Sequence, residues 1–198
     1  MTVRSTSYDT RAYAYGMKRN SSLILIACLS LSMAFAQRTL FDFSNTNAAG
    51  GWRAVNDNVM GGVSTGKVSS AGGTLTFTGV LSLENNGGFA SMRSGSLNGL
   101  NLSTETGLAF RVRGDGRTYA LNINSQASWN TLYRGEFASK ANTWLELRIP
   151  FKDLKPTYFG NTLPGPKIDA SKLEYVGFIL ADKKPGPFTL EVDWIRTY

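Results

Sequence analysis

Amide and carboxylate side chains stand beside glycine pairs at two places in this 198-residue chain. Asn56 and Asp57 precede Gly61-Gly62 in the segment 52–64, and a second run, residues 85–88, reads Asn-Asn-Gly-Gly. Such polar groups bind ligands or partners in some loops. In tight turns, where glycine lets the chain reverse, they hydrogen-bond to the backbone instead. Because Asn and Asp so often serve turns, the structural role is favoured at both places and a binding role is the alternative.

A second candidate site consists of planar polar and aromatic side chains on two predicted strands. Phe110 and Val112 alternate with arginines, and Leu121 and Ile123 alternate with asparagines. If the apolar residues fill the core, the polar ones project together from the opposite side. Gly114-Asp115-Gly116 lies between the strands and predicts a hairpin turn. The candidate binding residues are Arg111, Arg113, Asn122, Asn124, Trp129 and Tyr133, with Gln126 and Arg134 nearby.

These guanidinium, amide and aromatic groups fit two kinds of ligand. They suit the hydroxyls and ring faces of a sugar, and they equally suit a peptide backbone. The alternative is a solvated sheet face with Trp129 at the edge of the core, since antiparallel sheets commonly face water on one side. The residues alone leave these interpretations open.

Catalysis is not expected from the residues that this chain offers. There is no histidine, which removes the usual general base near neutral pH, Ser-His-Asp and Cys-His catalysis, and ordinary zinc sites. Nothing places two carboxylates across a cleft for glycoside hydrolysis. Dinucleotide binding is disfavoured too, because residues 114–116 do not form a G-x-G-x-x-G motif. The scattered glutamates are Glu84, Glu136, Glu146, Glu174 and Glu191. We predict that the protein is not an enzyme.

Residues 1–36 predict a secretory signal peptide. Lys18-Arg19 precedes an apolar run over residues 23–35, which ends in Ala34-Phe35-Ala36 before Gln37. A basic region, a short apolar region and an A-x-A cleavage site follow one another in this order in signal peptides. We therefore predict cleavage after Ala36, with Met17 as a natural start, and export to the periplasm or the medium.

Two alternatives for the leader are disfavoured. A retained membrane anchor would need about 20 apolar residues, more than this run supplies. A lipobox ending at Cys28 would leave an apolar segment at the mature N-terminus. Cys28 is the only cysteine of the chain, so a cleaved protein has neither disulfides nor thiol chemistry.

The charge of the predicted mature chain argues against nucleic acid as a partner. The leader holds four of the 21 basic residues and one of the 14 acidic residues, which leaves 17 and 13 and a net charge of +4. These charges are spread along the chain, whereas nucleic-acid binding needs a concentrated basic patch or stripe. No membrane span is predicted for residues 37–198.

Period-two alternation predicts an all-β protein. It is clear around residues 108–113, 119–124, 145–149 and 188–195, and further strands are predicted at 75–83, 89–92, 132–137 and 175–181. No segment predicts a long amphipathic helix, and residues 151–154 and 170–173 form single turns at most. About ten short antiparallel strands without a helical layer predict one β-sandwich domain over residues 37–198, with 155–167 as a proline-rich edge loop.

Several motifs in a fixed order resemble the complex I intermediate-associated protein 30 family. They include Arg111-Val-Arg-Gly-Asp-Gly-Arg-Thr-Tyr119, Ile149-Pro-Phe151 and Phe188-Thr-Leu-Glu-Val-Asp-Trp-Ile195. The motif residues in the two glycine loops are Trp52, Asn56, Asp57, Met60, Gly61, Gly62, Gly87, Gly88 and Arg93. The resemblance covers residues 40 to 198 and implies a jelly-roll β-sandwich of the galactose-binding-like type.

The resemblance implies a non-catalytic binding module with a chaperone-like role in assembling protein complexes, here in the cell envelope. It places binding on the segment 52–64, the strand 87–93 and the hairpin 111–119. The alternative partner is a glycan bound by a secreted protein. Its platform would be Trp129, Tyr133, Asn122, Asn124 and Arg111.

The implied fold also raises the question of structural calcium, although no cofactor is predicted. Galactose-binding-like sandwiches often hold calcium near their terminal strands, where Asp42 and Asp193 fall in this chain. Calcium takes about 6–8 oxygen ligands, and no dense acidic loop supplies them. Surface carboxylates are therefore the favoured interpretation of both residues.

Overall fold

A computed structural model of the protein describes residues 37–44, 46–126 and 131–198. The predicted signal peptide and Trp129 both lie outside the described residues. Within them the chain forms thirteen β-strands and five short 3-10 turns, with no α-helix. The strands are β1 Thr39–Asp42, β2 Arg53–Asn56, β3 Thr65–Ala71, β4 Thr74–Leu81, β5 Ala90–Arg93, β6 Gly107–Arg113, β7 Thr118–Ser125, β8 Leu132–Ala138, β9 Trp144–Pro150, β10 Lys155–Tyr158, β11 Asn161–Thr162, β12 Leu173–Leu180 and β13 Gly186–Thr197.

Two antiparallel sheets make up the fold. The six-stranded sheet has the order β3-β4-β13-β6-β9, with β1 also paired to β13. The seven-stranded sheet has the order β11-β10-β8-β7-β12-β5-β2. The single-turn predictions are confirmed, because 3-10 turns form at Phe151–Asp153 and Ala170–Lys172. The other 3-10 turns are Thr46–Ala49, Asp57–Met60 and Glu84–Asn86.

The hydrophobic core lies between the two sheets and is built by the predicted alternation. Phe110 of β6, Leu121 of β7, Phe178 of β12 and Leu190 of β13 are all fully buried in it. The all-β sandwich prediction is confirmed. The structure has more strands than the ten or so expected. One of the strands that the alternation did not predict is β3, which is rich in Ser, Thr and Gly.

The proline-rich loop predicted at 155–167 is partly wrong. Residues 155–162 form the hairpin of β10 and β11, and β10 extends the seven-stranded sheet by pairing with β8. Pro156 is tolerated there because β10 lies close to the edge of the sheet.

The predicted hairpin between β6 and β7 is also wrong. The strand β6 pairs with β13 and β9, whereas β7 pairs with β12 and β8, so residues 114–116 connect the two sheets. Asp115 fixes this connection. Its carboxylate accepts hydrogen bonds from the Arg117 N–H (3.0 Å), the Tyr119 hydroxyl (3.0 Å) and the Thr189 N–H (2.8 Å).

Candidate functional site

Asp57 ties the two glycine loops together. It is 1% exposed at the start of the turn after β2. Its carboxylate accepts hydrogen bonds from the Ser64 hydroxyl (2.6 Å), the Ser64 N–H (2.9 Å), the Gly88 N–H (2.7 Å) and the Phe89 N–H (3.3 Å). Burial raises the pKa of Asp57, but the hydrogen bonds from Ser64, Gly88 and Phe89 outweigh it and leave the pKa lowered. These contacts are those of the structural role that the sequence favours.

The glycines of both loops are required by this arrangement. Gly61 has a φ of 91°, a left-handed conformation that ends the 3-10 turn. A Cβ on Gly62 would lie 2.4 Å from the Asp57 carboxyl carbon, and one on Gly87 would lie 2.6 Å from Asp57 Oδ2. Gly88 has a φ of 127° where its N–H meets the same carboxylate. The glycines therefore let two loops close around one carboxylate.

A groove of about 1010 Å³ runs over the outer face of the seven-stranded sheet. Its floor is formed by β5, β7, β8 and β12. One rim is the pair of loops that Asp57 holds together, and the other is the turn between β10 and β11. Asp57 thus shapes the groove without lining it.

The rim of the groove is apolar. Val59 and Met60 follow β2, Leu83 precedes the second glycine loop, and Phe159 follows β10; all four are exposed. Val59 is 73% exposed, an unusual state for a branched aliphatic side chain. On the opposite rim the rings of Tyr158 and Phe159 meet edge to face, with centroids 4.4 Å apart. Exposed apolar side chains on both rims of a groove are typical of an interaction site.

The floor of the groove carries polar side chains that are partly buried. The guanidinium of Arg93 lies 5.1 Å from the ring centroid of Tyr175, within cation–π range. Burial raises the pKa of Tyr175 more than the neighbouring Arg93 lowers it. Burial lowers the pKa of Arg134, although Glu136 opposes this effect. The Nε atoms of both arginines and Oδ1 of Asn122 are buried without a hydrogen-bond partner in the described part of the chain.

The sequence predicted the outward direction of the two asparagines correctly, but not how far they are exposed to solvent. Asn122 and Asn124 face outward from β7, yet they are only 6% and 2% exposed. Asn122 stands beside Arg134 of β8, and Asn124 stands between Leu132 of β8 and Tyr175 of β12. Asn124 Nδ2 donates to the Thr131 carbonyl. Asn122 lines the groove floor. The prediction that both project into solvent is therefore wrong.

Tyr133 does not lie on the polar face, which corrects a further site prediction. It is 2% exposed within the core, because its β8 position pairs directly with the inward-facing Ile123 of β7. Burial raises the pKa of its hydroxyl, and the nearby Asp169 adds to the effect. The neighbouring Arg134 is the residue of β8 that faces the groove.

Arg111 and Arg113 lie on the opposite side of the molecule from Asn122. They project from the outer face of the six-stranded sheet, where they pair with Asp193 and Glu191 respectively. Both guanidinium carbons lie 4.9 Å from the ring centroid of Trp144. The predicted common face of Arg111, Arg113, Asn122 and Asn124 is therefore wrong, because β6 and β7 belong to different sheets.

The remaining motif residues are structural or lie at the groove. Trp52 is buried against the rings of Phe41 and Phe43. Asn56 Nδ2 donates to the Gly66 carbonyl. Met60, Gly87, Gly88 and Arg93 border the groove.

The carboxylates considered for calcium have other partners. Asp42 accepts hydrogen bonds from the Ser44 N–H and hydroxyl, and Asp193 pairs with Arg111. Within residues 37–44, 46–126 and 131–198, no group of three or more His, Cys, Asp and Glu residues is placed to hold a metal ion. That the protein has no cofactor stays a prediction, with structural calcium as the alternative.

Several groove residues escaped the sequence reasoning. Val59, Tyr175 and Glu136 lie at the groove, as does the pair Tyr158-Phe159. The pair did carry a signal, since two aromatic residues before a glycine in a polar loop have no strand to bury them. Tyr175 and Glu136 carried none, because their position depends on which strands are neighbours.

Solved structures with the same architecture define the fold class. The family 11 carbohydrate-binding module of a cellulosomal cellulase of Clostridium thermocellum superposes with a TM-score of 0.61 at 16% identity, over 81% of this chain and 93% of that one. The agarase AgWH50C superposes with a TM-score of 0.59 at 13% identity, over 81% of this chain and 24% of that one. The protein is thus a jelly-roll β-sandwich of the galactose-binding-like type. These likenesses concern the fold alone.

The chain belongs to the complex I intermediate-associated protein 30 family, whose model matches residues 41–192. The mitochondrial member of Mus musculus is 34% identical over 101 residues, which are 46% of this chain and 30% of that protein. The mitochondrial member of Drosophila melanogaster is 30% identical over 96 residues, 44% of this chain and 32% of that protein. The matched stretch therefore spans about a third of these relatives. No helix among the described residues is long and apolar enough to cross a bilayer.

Proposed function

We propose that this protein is a non-catalytic binding module whose groove holds a segment of a client polypeptide during assembly of a protein complex. The observation that carries the proposal is the groove itself, with a polar floor and an exposed apolar rim. Membership of a family named for association with a respiratory complex intermediate supports a protein client. Export to the cell envelope stays a prediction, because it depends on residues 1–36.

The rim supplies the driving force for binding. Covering a valine, leucine, methionine or phenylalanine side chain stabilises a complex by about 1.5–3 kcal/mol when it is buried completely. Val59, Met60, Leu83 and Phe159 all have apolar surface left to cover. A polypeptide with apolar side chains would cover it, and the polar floor would hydrogen-bond to its backbone.

The groove lacks a plausible acid–base pair, which supports a non-catalytic role. Glu136 and Asp182 are the two carboxylates that line it. Asp182 is bound by Arg117 through two nitrogens, at 2.6 and 3.0 Å, so its oxygens are not free to act as a base. Glu136 would have to work alone, whereas hydrolysis of a glycosidic bond ordinarily needs two carboxyl groups.

Replacing rim side chains tests the proposal. Met60→Ser and Val59→Ser should each weaken binding of a short labelled peptide, with leucines among serine and glutamine, by about tenfold. Fluorescence anisotropy with the full chain measures the affinity. Val80→Ser is the matched control, because Val80 is 50% exposed on β4, away from the groove. Equal affinities for the rim variants and the control would refute the proposal, as would absence of peptide binding by the wild type.

A glycan is the second candidate ligand, favoured by the exposed Tyr158 and Phe159 rings beside the polar floor. Aromatic faces and planar amide or guanidinium groups suit sugars. Affinity electrophoresis in gels with neutral polysaccharides separates the two candidates. Retardation that a free oligosaccharide abolishes, and that is lost with Phe159→Ser, would favour the glycan.

A further inference from the structure

Four cationic side chains form a single row across the seven-stranded sheet, and two of them, Arg93 and Arg134, line the groove. Lys155 of β10 pairs directly with Arg134 of β8, which pairs with Asn122 of β7. Asn122 pairs with Gly177 of β12, Gly177 with Arg93 of β5, and Arg93 with Arg53 of β2. Side chains of directly paired residues lie on the same face of a sheet. We call these six residues the basic row.

The basic row contains no acidic residue, although Glu136 of β8 lies close enough to Arg134 to oppose the lowering of its pKa. Within residues 37–44, 46–126 and 131–198, no ion pair involves Lys155, Arg134, Arg93 or Arg53. Like charges directly opposite one another on neighbouring strands destabilise a sheet. The Nε atoms of Arg93 and Arg134 are buried without a hydrogen-bond partner. Glu136, the nearest carboxylate along β8, is displaced from the row by two residues.

Two arginines on the outer face of the six-stranded sheet form ion pairs, unlike the cations of the basic row. Arg113 lies directly opposite Glu191 on the neighbouring strand and forms an ion pair with it. Arg111 lies opposite Glu146 and forms an ion pair with Asp193. Arg148 and Arg196, on the same face as Arg111 and Arg113, stack on the rings of Tyr198 and Trp194. In the basic row, Arg93 stacks on the ring of Tyr175 in the same way. Four neighbouring cations without an ion pair in the described part of the chain, two of them at the floor of a groove, are complementary to a negatively charged ligand.

Gly177 contributes no side chain near the centre of the row, because the backbone of β5 lies close to it. A Cβ there would lie 2.1 Å from the Met92 carbonyl oxygen, so the sheet admits no side chain at this point. Arg134 and Arg93 stand on either side, three strand spacings or about 14 Å apart at their Cα atoms. An extended polypeptide advances about 3.4 Å per residue, so side chains four residues apart span nearly the same distance and point the same way.

We propose that the groove binds an extended acidic polypeptide segment, with carboxylates four residues apart placed over Arg134 and Arg93. This inference rests on the proposed function and names the chemistry of its client. The row ends at β2 and β10, and the loops that follow these strands carry the apolar rim residues Val59, Met60 and Phe159. A segment that lies along the row therefore meets cations on both sides of Asn122 and Gly177, with apolar rim residues nearby in the loops that follow β2 and β10.

Matched peptides test the inference with the full chain. The peptide with leucines among serine and glutamine is compared with one in which two glutamines, four residues apart, are replaced by glutamate. We expect the glutamate peptide to bind about tenfold more tightly, the effect of one good charge-assisted hydrogen bond. We also expect this advantage to decrease with added sodium chloride.

Variants locate the effect within the groove. Arg134→Gln and Arg93→Gln should each remove most of the advantage of the glutamate peptide and leave the glutamine peptide unchanged. Arg134→Lys should retain part of it, because the charge remains. Lys67→Gln, an equal charge change at an exposed position of β3, is the control and should have no effect. Circular dichroism melts establish that each variant is folded.

The outcomes separate this inference from the proposed function. Equal affinity for the two peptides, with the rim variants still weakening both, would overturn the acidic client and keep the polypeptide groove. If neither peptide binds, both the acidic client and the polypeptide-binding function are refuted. Binding of polygalacturonate, lost with Arg134→Gln, together with no preference for the glutamate peptide, would show an anionic glycan instead and overturn the inference.

Discussion

Four hydrogen bonds converge on the carboxylate of Asp57, and this residue decides how the two glycine loops are arranged. The sequence predicted that Asn and Asp would bond to backbone groups of tight turns, and the contacts of Asp57 are of that kind. It could not predict that one carboxylate serves both loops, because the link joins residues 57 and 88, which are distant in the chain.

Removing this carboxylate should loosen the fold. Asp57→Ala leaves the buried Ser64 hydroxyl and the Gly88 N–H without an acceptor, and we expect a loss of about 3 kcal/mol in the free energy of unfolding. Urea denaturation at neutral pH measures it. Glu84→Ala removes an exposed carboxylate from the neighbouring loop and should change the stability little. If both variants unfold at the same urea concentration, the link is unimportant.

The stabilisation by Asp57 should depend on pH with a definite sign. Its pKa is lower in the folded chain than the ordinary value of 3.8. The unfolded chain therefore takes up this proton first, so the contribution is complete above the ordinary pKa and is lost as the pH falls through the folded value. The stability difference between wild type and Asp57→Asn should be constant above about pH 5 and shrink on further acidification. A difference that stays unchanged down to pH 2 would contradict this assignment.

At the scale of elements, alternation predicted which residues of a strand face the core but not which sheet the strand joins. The inward positions of β6 and β7 were predicted correctly, and so was the outward direction of Arg111 and Asn122. The error was to treat consecutive strands as paired. Period two contains no information about partners, and the connection through Asp115 leads from one sheet to the other.

Two of the strands that escaped prediction, β3 and β10, share a physical reason. β3 has serine and glycine where alternation would need apolar residues, and β10 contains Pro156. Both acquire their strand conformation by pairing with a neighbour already in a sheet, β4 for the first and β8 for the second. Such strands depend on tertiary context, as β-propensity generally does.

The loop between β12 and β13 depends on Arg117. Its guanidinium binds both oxygens of Asp182 and also donates to the carbonyls of Lys184, Gly186 and Pro187. The two side chains of the ion pair are largely buried. Arg117→Ala should therefore lower the free energy of unfolding by about 3 kcal/mol, because it leaves a buried carboxylate and several carbonyls without donors.

Thermal or urea denaturation of Arg117→Ala measures this loss, with Lys184→Ala as the control. Lys184 belongs to the same loop and carries the same charge, but its side chain is exposed. Its removal should change stability by no more than about 0.5 kcal/mol. Similar losses for the two variants would mean that general electrostatics, rather than the specific contacts of Arg117, support this loop.

The whole molecule presents two unlike outer faces. On the six-stranded sheet, Arg111 and Arg113 pair with carboxylates and flank Trp144. On the seven-stranded sheet, a groove combines an apolar rim with two arginines whose buried Nε atoms have no hydrogen-bond partner among the described residues. The candidate site drawn from the sequence combined residues of both faces, since nothing in one sequence shows which outward positions belong to the same side of a sandwich.

This division leads to a prediction about Arg111, the first of the candidate residues. Arg111→Ala should leave the affinity for the leucine-containing peptide unchanged, because Arg111 lies on the sheet that does not form the groove. It should lower the free energy of unfolding by no more than about 1 kcal/mol, since its pair with Asp193 is partly exposed to solvent. Peptide anisotropy and thermal melts of the same preparation measure the two effects, with Arg134→Gln as the groove variant. A folded Arg111→Ala protein that no longer binds the peptide would move the binding site to the six-stranded sheet.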